Sequence, residues 1–403
     1  MKKLCTTKDT DLISALPDNL IDTILIELPL RDAARTCILS RRWRYSWVKL
    51  SHLKLDYAFW LHSLQNASQA RAAKFAIILF RILLLHQGPI TSISLHIPEL
   101  ESPPEIDTLI NFIVRNGVQK CILDMFPKYY KLHSSLFTCP TLIELDLRSC
   151  EINFVPSTSE RFSNLTSLTL NDITVSPRAL NCLLSSCPFL YTLKLNVPLD
   201  IQCLQINAPK LVYFAYYCSN SAQSLLAVNY VRRQQAILKI LGGFPDLKFL
   251  YLDSHCVKSL AAGDLHTRLP ISMLQLIDLL DICLEDVDQF SSVLCLIRSS
   301  PGLKKFKVFH TRHIGNHNNN IENFQEEEDY SDVTLNHLEE VKILGVVGGR
   351  LELKLIRILF AKSRSLRKMS IRLSSNTSRK LQILKEIVMF RRAAPNVDVH
   401  IDD

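Results

Sequence analysis

Three histidines, His310, His313 and His317, are spaced so that a helix would place them on one side. Imidazole is a zinc ligand, so this spacing is a pattern that suggests metal chemistry. The segment that contains them, HTRHIGNHNNN, is polar and has no nearby cysteine to complete a site. We therefore expect a polar loop here and no bound metal.

The residue patterns of common enzyme sites do not occur in the sequence. Gly345, Gly348 and Gly349 match neither a Walker loop nor a dinucleotide-binding fingerprint. There is no Gly-x-Ser-x-Gly motif, and no pair of carboxylates suggests a defensible mechanism. The sequence thus predicts a protein that is not an enzyme and uses no cofactor.

The composition is that of a globular chain with a sizeable core. Of the 403 residues, 47% are hydrophobic and 21% are charged, which suits one elongated domain or two to three compact ones. The formal net charge of +8 is modest for this length and by itself implies no nucleic-acid partner. The most apolar run, Phe75–Leu85, is interrupted by Arg81 and is too short to cross a bilayer. We expect a buried helix there and no membrane partner.

Twelve cysteines are scattered along the chain without any Cys-x-x-Cys pair. The basic N-terminus, MKKLCTTKDT, is not followed by an apolar stretch, so we do not expect a secretory leader. Cysteines outside an oxidising compartment stay reduced, and most of these are expected to be small buried hydrophobes. These features predict a cytoplasmic and/or nuclear protein.

The N-terminal segment predicts three short helices. Pro17 and Asp18 suit the start of a first helix. Its apolar side chains recur at helical spacing up to Pro29, namely Leu20, Ile21, Ile24, Leu25 and Leu28. A second helix is expected over 31–39, and Ser40 is a suitable N-cap for a third over 41–47, which would place Trp43 and Trp47 on one face.

These helices carry more apolar surface than they can bury among themselves, because units below about 40 residues rarely sustain a core alone. Either a partner covers the surplus, or the helices are the first layer of a larger core. Between residues 31 and 54 there are seven basic residues and one acid, Asp32. Since no DNA-reading helix is recognisable, an acidic protein partner is favoured.

The same segment resembles an F-box of the plant type. The resemblance rests on Leu16-Pro17, Ile24-Leu25, Leu28-Pro29, Asp32-Ala33-Ala34, Leu39-Ser40 and Arg42-Trp43-Arg44. Cys37 and Ser46 depart from the pattern, in which Ser and Leu are common at these two positions. The resemblance implies docking of a Skp-type adaptor, and through it of a cullin and a RING protein. It implies these adaptor contacts: Leu16, Pro17, Leu20, Ile24, Leu28, Leu39 and Trp43.

A spacing of the form apolar-x-x-apolar-x-apolar recurs along the rest of the chain. It begins at residues 142, 165, 190, 247, 303, 338 and 366, and the segment at 211–216 matches loosely. The first intervals are 23 and 25 residues, within the range of leucine-rich repeats, whose coils stack because none buries its apolar side alone. The alternative is a set of unrelated strands in an ordinary α/β domain.

The last 70 residues or so predict longer helices that begin near Leu351 and Leu381, and a final strand at 397–401. The order LEEV, ELKLIRILF, SLRKMSI and FRRAAPNVDV resembles the FBD domain that ends many plant F-box proteins. This domain would cover the otherwise exposed end of the repeats.

We therefore predict an α/β protein with a three-helix F-box as a small separate unit, then one continuous curved leucine-rich-repeat solenoid capped by an FBD domain. The predicted boundaries are 11–50 for the F-box, 51–89 for a linking helical segment, 90–312 for the solenoid, 313–334 for a mobile acidic loop and 335–403 for the FBD domain.

The resemblance implies a substrate-recognition subunit of a Skp–cullin–F-box ubiquitin ligase, whose protein client the sequence does not identify. Two alternatives remain open. One is a leucine-rich-repeat scaffold that binds a partner without promoting its degradation. The other is a ligand-sensing receptor in which a small molecule completes the client site.

Overall fold

The computed structural model describes residues 12–63, 71–96, 103–126, 130–132, 134–153, 162–217, 230–261, 269–271, 273–311, 330, 333–375 and 379–402. The chain divides into two compact units, Met1–Ala179 and Leu180–Asp403. The predicted acidic loop at 313–334 lies outside the described residues, apart from 330, 333 and 334.

The first unit alternates short helices with parallel strands. Its helices are α1 (Asp18–Glu27), α2 (Leu30–Arg35), α3 (Tyr57–Ser63), α4 (Arg71–Leu85) and α5 (Pro103–Arg115), and α6 (Pro177–Ser185) begins at its end. Its main strands are β1 (His52–Leu55), β2 (Ser92–His96), β3 (Lys120–Asp124), β5 (Glu144–Arg148) and β7 (Ser167–Asn171). Between them lie β4 (Tyr130–Lys131), β6 (Cys150–Ile152) and β8 (Thr174–Val175), which form a second small sheet.

The main strands of the first unit pair in parallel and in chain order, so that side chains of the same kind form rows across the sheet. One row contains Leu53, Ile93, Cys121, Leu145 and Leu168. The next contains Leu55, Leu95, Leu123, Leu147 and Leu170. All ten are at most 1% exposed. Strand residues alternate between faces, so these rows give the sheet one apolar side, which packs on the core.

Strand β1 was not predicted, because it lies in the stretch 51–89 that the sequence assigned to a linking helical segment. It pairs with β2, and the ladder therefore begins at residue 52 rather than at residue 90. Helix α4 contains the whole apolar run Phe75–Leu85, for which the sequence predicts a helix. Among the helices in the described ranges, none has the length and apolar content needed to cross a membrane.

The second unit repeats the same plan with eight parallel strands among the described residues. These are β9 (Thr192–Asn196), β10 (Tyr213–Tyr217), β11 (Phe249–Asp253), β12 (Leu276–Ile282), β13 (Lys305–His310), β14 (Glu340–Val346), β15 (Lys368–Leu373) and β16 (Asp398–Asp402). The helices are α7 (Tyr230–Gly242), α8 (Ser254–Leu260), α9 (Val287–Arg298), α10 (Arg350–Lys362) and α11 (Lys380–Val388).

Buried rows cross this sheet as well. One contains Leu193, Phe214, Leu250, Ile277, Phe306, Val341 and Met369, all at most 1% exposed. At the last strand, β16, the equivalent positions Val399 and Ile401 are only half-buried. The apolar side of β16 is thus less completely covered than that of the strands before it.

The seven predicted repeat motifs all contain a strand, and the loosely matching segment at 211–216 contains most of β10. In each motif the first apolar residue lies just before the strand and is buried, as are Leu142, Leu247 and Leu338. The expectation for His310 was wrong. It ends β13 with a buried side chain, and its Nδ1 accepts a hydrogen bond from the Leu284 amide at 3.2 Å. His313 and His317 lie outside the described residues.

A turn between β14 and α10 explains the three glycines that match no nucleotide-binding motif. Gly345 and Gly348 have φ values of +83° and +82°, which favour glycine. A Cβ at position 348 would also lie 2.4 Å from Ile383 Cδ1. The turn directs three successive amides, those of Val347, Gly348 and Gly349, at Glu352 Oε2 over 3.0, 2.7 and 3.2 Å.

Glu352 is a buried carboxylate, with 0% of the residue exposed. Burial raises its pKa to about 7, although the three amide donors act in the opposite direction, and the nearby Glu285 carboxylate raises the pKa further. Glu285 Oε1 accepts from the amides of Leu351 and Glu352 at the start of α10. The two carboxylates thus satisfy the amides of the turn and of the first turn of the helix.

We expect Glu352 to make stability depend on pH. Because the folded state holds the Glu352 proton more tightly than the unfolded state, this contribution is complete below pH 4.5 and is lost as the pH rises through about 7. Relative to Glu352→Gln, which cannot ionise, the wild-type free energy of unfolding should fall by about 2 kcal/mol between pH 5 and pH 8. Urea unfolding at a series of pH values measures this difference.

The exposed carboxylate Glu386 on α11 provides the matched control. Glu386→Gln should leave the pH dependence of the wild type unchanged over the same range. A constant difference between wild type and Glu352→Gln from pH 5 to pH 8 would show that Glu352 does not couple its proton to folding.

Candidate protein-docking surface

Helix α1 divides its apolar side chains between two faces. Ile21 and Leu25, one turn apart, are at most 1% exposed. Leu20 and Ile24 stand at the same spacing one residue earlier, and 45% and 42% of their surface is exposed. The helix therefore has an apolar face on the core of the unit and a second apolar face that nothing in the described chain covers.

Trp43 lies inside the helical unit, with 3% of the residue exposed. Its indole Nε1 donates a hydrogen bond to the carbonyl oxygen of Ile13 at 3.1 Å. A buried indole that uses its only donor in this way holds the segment before α1 against the unit. The structure therefore does not place Trp43 on the surface, where the F-box resemblance assigned it an adaptor contact.

The predicted third helix over 41–47 is wrong. The chain forms two short 3-10 turns there instead, Trp43–Tyr45 and Trp47–Lys49, and Ser40 caps neither. A further 3-10 turn, Thr36–Ile38, directly follows α2. Short helices are marginal without tertiary support, and here the burial of Trp43 and Val48 decides the path of the chain. One consequence is that Ile38 and Leu39 project outward, with 85% and 47% of their surface exposed.

The remaining predicted contacts lie at intermediate or exposed positions. Pro17 is exposed directly before α1, and Leu16 and Leu28 are half-buried. Sequence reasoning missed three exposed apolar side chains, Leu12, Ile13 and Ile38. We call six exposed residues the docking surface: Leu12, Ile13, Leu20, Ile24, Ile38 and Leu39.

Two of the basic side chains of this unit, Arg35 and Arg42, form ion pairs with acids of the same unit. Arg42 donates to Asp18 Oδ1 at 2.6 Å and to the carbonyl oxygen of Ser14 at 3.1 Å, which joins the start of the Trp43–Tyr45 turn to the start of α1. Arg35 pairs with Asp32 at 3.2 Å. Exposed ion pairs of this kind contribute roughly 0–1 kcal/mol each, so they orient the segments more than they stabilise them.

The helical unit is joined to the sheet and does not stand apart from it, contrary to expectation. The amide of Gln87 donates to the carbonyl oxygen of Val48 at 2.9 Å, and His86 Nε2 lies 2.8 Å from the carbonyl oxygen of Leu50. Val48 and Leu50 are buried directly before β1. The helices and the first strand consequently share a core, and the docking surface is presented from a fixed base.

In the part of the chain that the structure describes, no three metal-binding side chains come together. The ten described cysteines are free, and seven of them are buried. Burial raises the pKa of the Cys187 thiol to about 12, and that of Cys121 also rises. Thiols of this kind are held in the unreactive protonated form.

Two family models match the chain. The F-box domain model matches residues 13–55, and the model described as "FBD-associated F-box protein At5g56370, LRR repeats" matches residues 106–242. The first covers the helical unit and β1, and the second covers strands β3 to β10 and reaches the end of α7. Neither match reaches residues 335–403, so the FBD end cap stays a prediction.

Among curated proteins, the chain is similar to the F-box/FBD/LRR-repeat protein At1g13570 of Arabidopsis thaliana, at 32% identity over 96% of this chain and 98% of the relative. It is 33% identical to the FBD-associated F-box protein At5g56370 of the same organism over 54% of this chain and 51% of that protein. A solved structure titled "Crystal structure of TLR13-ssRNA13 complex" matches at 14% identity with a TM-score of 0.36, over 71% of this chain and 43% of that chain. That likeness is too low to carry an argument.

The helical unit, the repeated strands and the match to At1g13570 over nearly both full lengths show that the chain belongs to the F-box/FBD/LRR-repeat protein family.

Proposed function

We propose that this chain is the substrate-recognition subunit of a Skp–cullin–F-box ubiquitin ligase. The docking surface binds the Skp-type adaptor, which brings a cullin and a RING protein. The repeat strands and the C-terminal segment bind a protein client. The chain itself supplies no catalytic group, and transfer of ubiquitin belongs to the other subunits.

The observation that carries this proposal is the second apolar face of α1. Leu20 and Ile24 stay exposed although Ile21 and Leu25 already bury the helix against the unit. Exposed leucine and isoleucine side chains concentrated on a small helical unit mark a protein-binding site. Membership of an F-box family supports the choice of a Skp-type adaptor as the protein that covers them.

The location that goes with this proposal is cytoplasmic and/or nuclear, where such ligases act, and the burial of seven of the ten described cysteines as free thiols suits a reducing compartment. Neither a nucleic acid nor a membrane is part of the proposal. A scaffold that does not promote degradation is the alternative. Purification of the chain from cells with the proteasome inhibited separates the two, because only the ligase subunit carries adaptor and cullin with it.

Replacing the outward side chains of the docking surface should abolish adaptor binding without unfolding the chain. We expect the triple variant Leu20→Ala/Ile24→Ala/Leu39→Ala to bind a purified plant Skp-type adaptor roughly thirty- to a thousand-fold more weakly than wild type, because it removes several buried interface anchors at once. Calorimetric titration measures the affinity. The thermal midpoint should stay within about 2 °C of wild type, since these side chains are already exposed.

The matched control is Leu61→Ala/Leu84→Ala/Leu85→Ala, three exposed leucines on α3 and α4 of the same unit. This triple variant should bind the adaptor with wild-type affinity. Full-strength binding by the docking-surface variant, or no binding by wild type, would defeat the ligase proposal.

Trp43 should act through folding and not through contact. Trp43→Ala removes a buried side chain and the hydrogen bond to Ile13, so we expect a loss of about 3–5 kcal/mol in the stability of the first unit. Calorimetric unfolding of the full chain should show this as a transition at lower temperature. An unchanged transition together with lost adaptor binding would restore Trp43 to the contact set.

A further inference from the structure

The outward side chains of β14, β15 and β16 form a grid of three rows, because the strands are parallel and in register. In the middle row, Lys342, Ser370 and His400 are neighbours. Along β15 itself, Ser370 stands between Lys368 and Arg372. Ser370 is therefore surrounded on four sides by basic or titratable side chains.

The distances in such a grid are set by the sheet. Neighbouring strands lie about 4.8 Å apart, and alternate residues of one strand lie about 6.6 Å apart. The short side chain of Ser370 lies between four longer ones. The depression above it measures about 260 Å³ and is lined by all five, together with Leu344, Ile371 and Asp402. Its size suits one small group and not a whole peptide.

Some of the basic side chains in and around the depression form ion pairs with acids, and others do not. Just outside it, Lys305 pairs with Glu340 at 2.8 Å and Lys307 with Asp278 at 2.8 Å. Within it, and among the described residues, neither Lys342 nor Lys368 forms an ion pair. The remaining contacts are His400 with Asp398 at 2.8 Å and Arg372 with Asp402 at 4.0 Å.

The acids occupy the corners of the grid and the bases its sides. In the register, Glu340, Asp398 and Asp402 are diagonal neighbours of Ser370, whereas the four basic side chains are its direct neighbours. Of the three acids, Asp402 also lines the depression. One of these acids, Glu340, responds to the charges around the depression. A hydrogen bond from Lys305 lowers the pKa of Glu340, and the charges of Lys368 and Lys342 lower it further.

We propose that this depression, the Ser370 seat (Lys342, Lys368, Ser370, Arg372 and His400), binds the phosphate group of a phosphorylated segment of a protein client. The proposal rests on the proposed function, since it names the chemistry of the client that the second unit selects. Phosphate matches the seat better than a carboxylate does. It carries three terminal oxygens and nearly two charges, whereas a carboxylate has two oxygens in one plane and cannot face donors on four sides.

The first experiment uses inorganic phosphate as the probe. The thermal midpoint of the second unit in the full chain is measured in increasing phosphate, with sodium chloride adjusted to hold the ionic strength constant. We expect a rise of about 3 °C for wild type at phosphate well above its dissociation constant. Lys342→Met/Lys368→Met, which keeps the aliphatic stems but removes both charges, should lose this response.

A matched double variant, Lys239→Met/Lys304→Met, removes the same charge from two exposed lysines outside the seat and should respond like wild type. Ser370→Asp places a carboxylate in the seat. It should raise the midpoint without phosphate and abolish the response to phosphate. Equal responses from both double variants, or a full response from Ser370→Asp, would overturn the site.

The second experiment decides the source of the phosphate. Full-length wild-type chain is applied to immobilised short peptides of degenerate sequence that carry a central phosphoserine, glutamate or serine. We expect retention on the phosphoserine peptides about tenfold above the other two, and its loss in Lys342→Met/Lys368→Met. Equal retention on glutamate peptides, or binding of free phosphate but not of phosphopeptide, would overturn the assignment to a phosphorylated segment.

These measurements need no adaptor, so they separate the seat from the ligase proposal. Loss of adaptor binding by the docking-surface variant with an intact phosphate response leaves the seat in place. Adaptor binding by wild type without any phosphate response leaves the ligase proposal in place and removes the seat.

Discussion

Parallel pairing in register is the constraint on which the rest of this structure depends. A single strand followed by a turn or helix buries only one of its sides, and its backbone groups need a neighbour on each edge. In both units the next repeat supplies that neighbour at the same register, so leucine lies beside leucine or another apolar residue from strand to strand. The rows that result are the core, and a substitution in one strand is felt by the strands on either side.

The same constraint positions the functional surfaces. The residues directly before β1, Val48 and Leu50, are buried, and the hydrogen bond from Gln87 to Val48 helps to join the helical unit to the sheet. Burial of Trp43 then determines how the turns run, and those turns leave Ile38 and Leu39 outside. The docking surface is thus what remains of the apolar content of this segment once its core is complete.

On the outward side of the strands, the in-register pairing brings charged side chains of neighbouring strands together, as it brings apolar side chains together on the inward side. Lysines and acids recur at alternate positions, and pairing in register converts this alternation into rows of ion pairs such as Lys305 with Glu340. Ser370 interrupts the pattern because its side chain is short and carries no charge. The surplus of positive charge around it is a property of three strands together and is visible in none of them singly.

The sequence by itself determined the repeat. Period-2 burial after a leading leucine marks each strand from local side chains alone, which is why the motifs beginning at 142, 165, 190, 247, 303, 338 and 366 all contain strands. The F-box family and the start of α1 after Pro17 were also legible, since they depend on residue order and on local helix chemistry.

The tertiary structure alone decided which apolar residues are inside. Leu20 and Ile21 are both aliphatic side chains of similar size, but the packing of α1 against its unit exposes Leu20 and buries Ile21. Strand β1 was not predicted because four residues are too few to show a clear alternation of apolar and polar side chains. These residues form a strand because they pair with β2. The sequence suggested a surface position for Trp43 and no role for the glycines of the β14–α10 turn. The structure shows that Trp43 is buried against Ile13 and that the turn directs its amides at Glu352. Neither contact can be read from spacing along the chain, because both depend on the folded structure.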